Sequence, residues 1–276
     1  MKTWKTSKSR DYFLSLFMPH LNIGLVDGGP RNIYYELIDG QAEKPCLVFL
    51  HEGLGCTAMW KDFPRRLCAM TGCPGLLYDR LGYGLSDALQ HKRAPDYLHR
   101  YALDELPEVL ARALPAHRPY ILIGHSDGGS IALLHAAQRP ANLRGIVTEA
   151  AHVFVETVTL DGIRVAEQAC ADGKLRGLSK YHGDKTEQIF RAWSDTWLAP
   201  DFAKWNIEAA LPSIACPALI LQGIADQYGT RRQVDAIVEG IPGARMQMLD
   251  QCGHTPHQEQ AAAVLELMDT FIQSLA

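Results

Sequence analysis

The sequence predicts an α/β fold: a mostly parallel central sheet with helices on both faces. Three observations carry that expectation. Short apolar runs recur along the chain, each closed by glycine or a polar loop, and segments of helical period lie between them. Strands alternating with helices in this way imply a parallel sheet covered on both sides. One apolar run, Tyr120-Ile121-Leu122-Ile123, stops abruptly in Gly124-His125-Ser126-Asp127-Gly128-Gly129 and is followed at once by a helix-like stretch. Finally, one long segment, from about Ala151 to Ser213, has no strand pattern at all.

The elements follow in chain order. Asn32 to Ile38 reads as an early strand, and Cys46–Leu50, Gly75–Tyr78, Tyr120–Ile123, Gly145–Thr148, Ala218–Gln222 and Arg245–Leu249 read as successive sheet strands. Helices are expected at Asp104–Leu114, Gly129–Ala137, Arg232–Glu239 and Gln260–Leu275. Within the strandless segment, Ile163–Ala171 and Thr186–Trp197 read as helices. On the second, Ile189, Phe190, Trp193 and Trp197 share one face at helical spacing. That stripe is either internal packing of the segment or, in part, the roof of a substrate pocket, with Trp193 and Trp197 as the residues facing substrate.

The stretch around Ser126 carries the chemistry. A glycine-bounded serine between a strand and a helix is the G-x-S-x-G turn, which exposes the hydroxyl at a sharp bend. A serine hydroxyl is a poor nucleophile unless a base stands beside it. Two later strands each end in a polar loop. One supplies Ile224-Ala225-Asp226, the other Gln251-Cys252-Gly253-His254-Thr255-Pro256-His257. Open α/β sheets build their sites at these carboxyl ends. Ser126, Asp226 and His254 are therefore read as nucleophile, orienting acid and general base. His257 competes with His254, and Asp250 competes with Asp226. Asp250 sits on the strand end itself and is read as making a local turn bond, His257 as a packing residue.

On these residues the chain resembles the α/β-hydrolase superfamily, in its single-domain form with a helical cap. The resemblance runs from roughly Asn32 to the C-terminus. It includes Asp79-Arg80-Leu81-Gly82-Tyr83-Gly84-Leu85-Ser86, similar to the family's D-x-R-G-x-G-x-S loop with Leu81 inserted, and Trp60 after the third strand. Ser126-Asp127-Gly128-Gly129 and Cys216-Pro217-Ala218-Leu219-Ile220 resemble the valacyclovir-hydrolase-like branch. The resemblance implies an α/β-hydrolase core at 31–150 and 214–276, a helical cap at 151–213 and an N-terminal arm at 1–30. It implies an oxyanion hole from the N–H groups of Asp127 and Gly53. In that branch the acid after the nucleophile is implicated in holding a substrate amino group. Here the Asp127 carboxylate is read as turned away, leaving only its N–H at work. One departure stands out: the family usually has His-Gly after the third strand, and this chain has His51-Glu52. Glu52 is read as a solvated loop charge or as a carboxylate at the pocket mouth, touching substrate. His51 is read as bracing the loop, and His125 as packing.

The expected activity is serine hydrolysis of a small-molecule carboxylic ester, thioester or lactone through an acyl-enzyme. A C–C bond hydrolase of ring-cleavage products uses the same triad, but His125 and Glu52 weigh against it. A hydrolase-like binding protein is the third reading, and retention of the triad weighs against that.

Composition limits the remaining possibilities. The 276 residues suffice for one large domain with an insertion, and 47% hydrophobic with 21% charged residues is ordinary for a globule. A net charge of −4 gives no reason to expect a nucleic-acid surface. Seven scattered cysteines read as reduced thiols in a cytoplasm, with Cys252 as the one exposed to thiol reagents. The eleven histidines and seven cysteines form no C-x-x-C or H-E-x-x-H pattern, so neither metal nor dissociable cofactor is expected. No apolar run reaches the roughly 20 residues of a membrane span. The basic start, Met1 to Arg10, outlines a signal peptide but lacks a cleavage site, and is read as an arm. The expected partner is a small-molecule substrate; assembly as a homodimer is left open.

Overall fold

The computed structural model describes residues 19–25 and 29–275. The first eighteen residues, where the basic start lies, fall outside them. The chain forms an eight-stranded sheet in the order β1-β2-β4-β3-β5-β6-β7-β8. In chain order the elements are β1 (His20–Leu25), β2 (Gly29–Ile38), β3 (Cys46–Leu50), α1 (Phe63–Thr71) and β4 (Gly75–Tyr78). Then come α2 (Tyr97–Arg100), a π-helical turn (Tyr101–Glu105), α3 (Leu106–Ala113), β5 (Tyr120–His125), α4 (Asp127–Ala136) and β6 (Leu143–Glu149). Helices α5 (Thr157–Ala171), α6 (Ser179–His182) and α7 (Thr186–Leu198) follow, and then β7 (Ala218–Gly223), α8 (Arg231–Gly240), β8 (Arg245–Leu249), α9 (Pro256–Glu259) and α10 (Ala261–Gln273).

Strands β3 to β8 are parallel, while β2 pairs antiparallel with both β1 and β4. The central strands β3 and β5 are buried at every position, so they read as continuous apolar runs and not as alternating ones. Two apolar cores flank the sheet. One holds Val48, Leu122 and Ile220 with residues of α2 to α4, α7 and α8. The other holds Phe49, Ile121, Ile123 and Leu221 with α1 and α10.

The expected strands are present: Cys46–Leu50, Gly75–Tyr78 and Arg245–Leu249 have the expected ends, and the others are longer by one to three residues at one or both ends. Strand β1 is an addition within the stretch expected as an N-terminal arm. Its stretch His-Leu-Asn-Ile-Gly alternates, with Leu21 and Ile23 buried between exposed neighbours, a short period-2 signal that the sequence reading passed over; it pairs with β2. Helix α1 was also absent from the sequence reading. The helix expected at Asp104–Leu114 begins earlier, at Tyr97, and passes through the π-helical turn. Between β6 and β7 the chain contains helices and 3-10 turns but no sheet strand, and an isolated bridge joins Phe154 to Asn206. Among the described residues no helix is long and apolar enough to cross a membrane.

Candidate active site

Ser126 follows directly on β5 and is the N-cap of α4. Its backbone sits at φ 52, ψ −116, a region that residues with a side chain rarely occupy and that costs on the order of 1–3 kcal/mol. The surroundings hold it there. Its N–H donates to the Glu149 carbonyl at 2.8 Å, and its own carbonyl accepts from Gly129 and Ser130 at 2.8 and 3.1 Å. The turn is passable because α4 crosses β3 closely: a Cβ on Gly128 would lie 1.9 Å from the Leu50 carbonyl oxygen.

Asp226 lies just past β7 and His254 just past β8; β6 separates the serine strand from the aspartate strand. The three side chains meet. His254 Nδ1 is 2.9 Å from Asp226 Oδ1, and His254 Nε2 is 3.0 Å from Ser126 Oγ. A carboxylate only accepts, so Nδ1 carries the proton and Nε2 is left to accept from the serine hydroxyl. Asp226 Oδ1 also accepts from the Tyr228 N–H at 2.8 Å. Burial works against the Asp226 charge, but the His254 ring and the Tyr228 amide outweigh it and hold the carboxyl below its usual range.

The other expected residues distribute as follows. Gly53 and Asp127 line one small pocket with Ser126 and His254. Asp127 is the first residue of α4, so its N–H has no acceptor within the helix and stands at the positive end of the helix dipole. Trp193 and Trp197 line the same pocket and are buried. A Cβ on Gly53 would fall 2.6 Å from Trp193 Nε1 and 3.3 Å from Asp127 Oδ2, so both close over the glycine. Asp250 is exposed and remote from His254 Nδ1, whose partner is Asp226.

Four expectations need correction. The Asp127 carboxylate is not turned away: Asp127 is buried, and its Oδ2 accepts from Tyr97 Oη at 2.8 Å on the pocket wall. Tyr97 Oη in turn accepts from Trp197 Nε1 at 2.9 Å. Of the two readings of Glu52, the solvated loop charge fails, and the carboxylate at the pocket mouth agrees with its place in the lining of the Ser126 pocket. Its side chain is only 21% exposed and faces His125 Nδ1 at 3.5 Å. His125 is more than packing, because it bonds the His254 carbonyl at 2.7 Å. Burial disfavours charge on His125, yet Glu52 overcomes that and raises its pKa; burial likewise opposes ionisation of Glu52, and His125 reverses it. Finally, Cys252 is fully buried, and burial pushes its thiol up to about 11, so it is shielded from thiol reagents.

His51 braces its loop as expected. Its Nδ1 donates to the Glu52 carbonyl at 2.9 Å, and its Nε2 accepts from the Arg80 N–H at 3.2 Å. His257 pairs with buried Glu149 at 2.7 Å and packs on Trp60, ring centroids 4.4 Å apart.

Five pocket-lining residues were missed: Leu54, His152, Thr159, Ile163 and Tyr228; two of them stand beside His254. His152 lies three residues past the end of β6; its Nε2 donates to the Tyr228 carbonyl at 3.0 Å, and its ring centroid is 6.0 Å from that of His254. Burial and the neighbouring His254 hold its pKa below the usual value. Its position past a parallel strand's carboxyl end was the available signal. Tyr228, whose ring lies 4.7 Å from His254, carried the same signal, in the loop past β7 two residues after Asp226.

Comparison with known proteins agrees with this architecture. The model of the alpha/beta hydrolase family matches residues 47–267. The serine hydrolase BPHL of Mus musculus is 26% identical, covering 71% of this chain and 68% of its own. A proline iminopeptidase of Saccharolobus solfataricus is 24% identical, covering 96% and 97%. Among solved structures, the enol-lactonase of Burkholderia xenovorans superposes with a TM-score of 0.73 at 18% identity, over 92% of this chain and 100% of that one. A family match over most of the chain, on a parallel sheet with a serine turn at the end of β5, makes this chain an enzyme of the alpha/beta hydrolase family.

Proposed function

We propose that the chain is a serine hydrolase that cleaves a small-molecule carboxylic ester, or a thioester or lactone, through an acyl-enzyme on Ser126. One observation carries this reading: the unbroken hydrogen-bond chain from Ser126 Oγ through His254 to Asp226 at the wall of a pocket. In the proposed reaction His254 takes the Ser126 proton as Oγ attacks the carbonyl carbon. Asp226 stabilises the imidazolium that forms. The N–H groups of Asp127 and Gly53 hold the oxyanion. His254 then protonates the leaving oxygen or sulfur. Water activated by the same histidine releases the acid.

The pocket is about 100 Å³. That is small beside the roughly 300–1,000 Å³ of sites for drug-sized ligands and supports a short acyl group. The pocket-facing Asp127 carboxylate supports an ammonium near the scissile carbonyl, as in an amino-acid ester. We read 151–213 as a cap over this pocket, with 31–150 and 214–276 as the core; Trp193 and Trp197 from α7 support that reading.

The experiment is a panel of p-nitrophenyl esters of increasing chain length, an acyl thioester, amino-acid esters and a ring-cleavage product, with Ser126→Ala as the blank. Turnover of a short ester with burst kinetics is the expected result. Turnover of the ring-cleavage product alone, or activity surviving in Ser126→Ala, rejects the reading.

A further inference from the structure

A second and larger cavity, about 440 Å³, lies beside the loop 89–94, apart from Ser126. It is bounded by that loop and by the helical stretch from Tyr97 to Glu105. Tyr97 belongs to its wall, while the Tyr97 hydroxyl bonds Asp127 of the Ser126 pocket. The two cavities therefore share a partition and no catalytic group.

We propose that this cavity binds a small organic anion, a carboxylate or phosphate carried on an apolar body, with Arg93 as the charged anchor. The guanidinium of Arg93 is surrounded by tyrosine rings. Its carbon lies 4.5 Å from the Tyr97 ring centroid and 5.4 and 5.8 Å from those of Tyr83 and Tyr101. Only Nη2 has hydrogen-bond partners, the hydroxyls of Tyr83 at 2.8 Å and Tyr101 at 3.4 Å. Nε and Nη1 are buried and meet no acceptor among the described residues. No carboxylate of the described residues forms a direct ion pair with it; burial opposes its charge, and the surrounding tyrosines and, farther off, Asp127 favour it. An anion in the cavity, met by a turn of the Arg93 side chain, supplies the acceptors that Nε and Nη1 lack.

The walls fit such a ligand. Leu81, Leu89 and Ala94 offer apolar surface for its body. Lys92 and Arg93 bring positive charge to the wall, while Arg100 is already paired with Asp96 at 3.0 Å. Burial pushes the Glu105 carboxyl up to about 8 against the pull of the Leu81 amide, Arg80 and Arg93, so Glu105 adds little repulsion at neutral pH.

The test is isothermal titration of the full chain with sodium benzoate, phenyl phosphate and neutral benzamide. Binding of benzoate, phenyl phosphate or both is expected, with benzamide at least about tenfold weaker; which anion binds identifies the head group. Ser126→Ala should bind like wild type. Arg93→Gln should weaken binding by about tenfold or more, the loss of one charge-assisted bond. Ala94→Trp, which fills the cavity without touching the guanidinium, should abolish it, so a poorly folding Arg93 variant leaves the proposal testable. No binding of either anion at about 10 mM, equal affinity for benzamide, or wild-type binding in Ala94→Trp overturns the proposal. So does binding lost on fluorophosphonate labelling of Ser126 and retained in Arg93→Gln, since the anion would then sit at Ser126. None of these results depends on the substrate proposed for Ser126.

Discussion

The His125 ring bonds the backbone carbonyl of His254 at 2.7 Å, while its other nitrogen faces the Glu52 carboxylate at 3.5 Å. The residue before Ser126 thus holds the loop that carries His254. Glu52, the departure from the family's His-Gly pattern, faces that residue and favours its protonated form. Glu52 and His125 act as one coupled pair.

This pair sets a pH dependence of stability. Glu52 has its pKa lowered in the fold, so its contribution is present above its unfolded value near 4.5 and lost as pH falls through the folded one. His125 has its pKa raised, so its contribution is full below 6.5 and lost as pH rises through the folded value. Glu52→Gln should therefore destabilise by about 1–3 kcal/mol near pH 6, and less near pH 9. Urea unfolding at the two pH values measures it; an equal loss at both would mean the pair carries no charge.

Ser126→Ala should fold normally and lose roughly 10³-fold or more in kcat. A fluorophosphonate should add one equivalent of mass to the peptide containing Ser126. Labelling at another residue of active protein would move the nucleophile elsewhere.

Asp226→Asn keeps the shape of the acid but favours the wrong His254 tautomer. A loss of about 10²- to 10⁴-fold in kcat is expected, with Asp250→Asn near wild type. The opposite ranking in steady-state assays would exchange their roles.

Asp127→Asn should raise KM for amino-acid esters by about ten- to a hundredfold while leaving simple short esters within about threefold. Equal effects on both substrates would confine Asp127 to its N–H and to the Tyr97 bond.

Trp193→Ala or Trp197→Ala should enlarge the small pocket and shift preference toward longer acyl chains, by about ten- to two-hundredfold for each methylene accommodated. Trp197 also donates to Tyr97, so its loss should disturb Asp127 and amino-ester turnover; Trp193→Ala should not. An unchanged chain-length profile in both variants makes the stripe internal packing.

The sequence by itself determined the sheet and the positions of Ser126, Asp226 and His254, because both are written in local pattern. Buried parallel strands are unbroken apolar runs, and a serine between two close-packed glycines needs the strand and helix on either side of it. What only the tertiary structure decided is held by residues distant in the chain. Glu52 reads as a loop charge until β3 and β5 lie side by side and bring it to His125. The Asp127 carboxylate faces the pocket because Tyr97, thirty positions earlier, donates to it and is itself held by Trp197. Cys252 stands beside a histidine of the site yet is sealed in the α1–α10 core. The edge strand β1 alternates over only a few residues, too short a run to be told from loop until it pairs with β2. Side-chain direction and burial are set by which elements pack together, and local sequence carries no record of that choice.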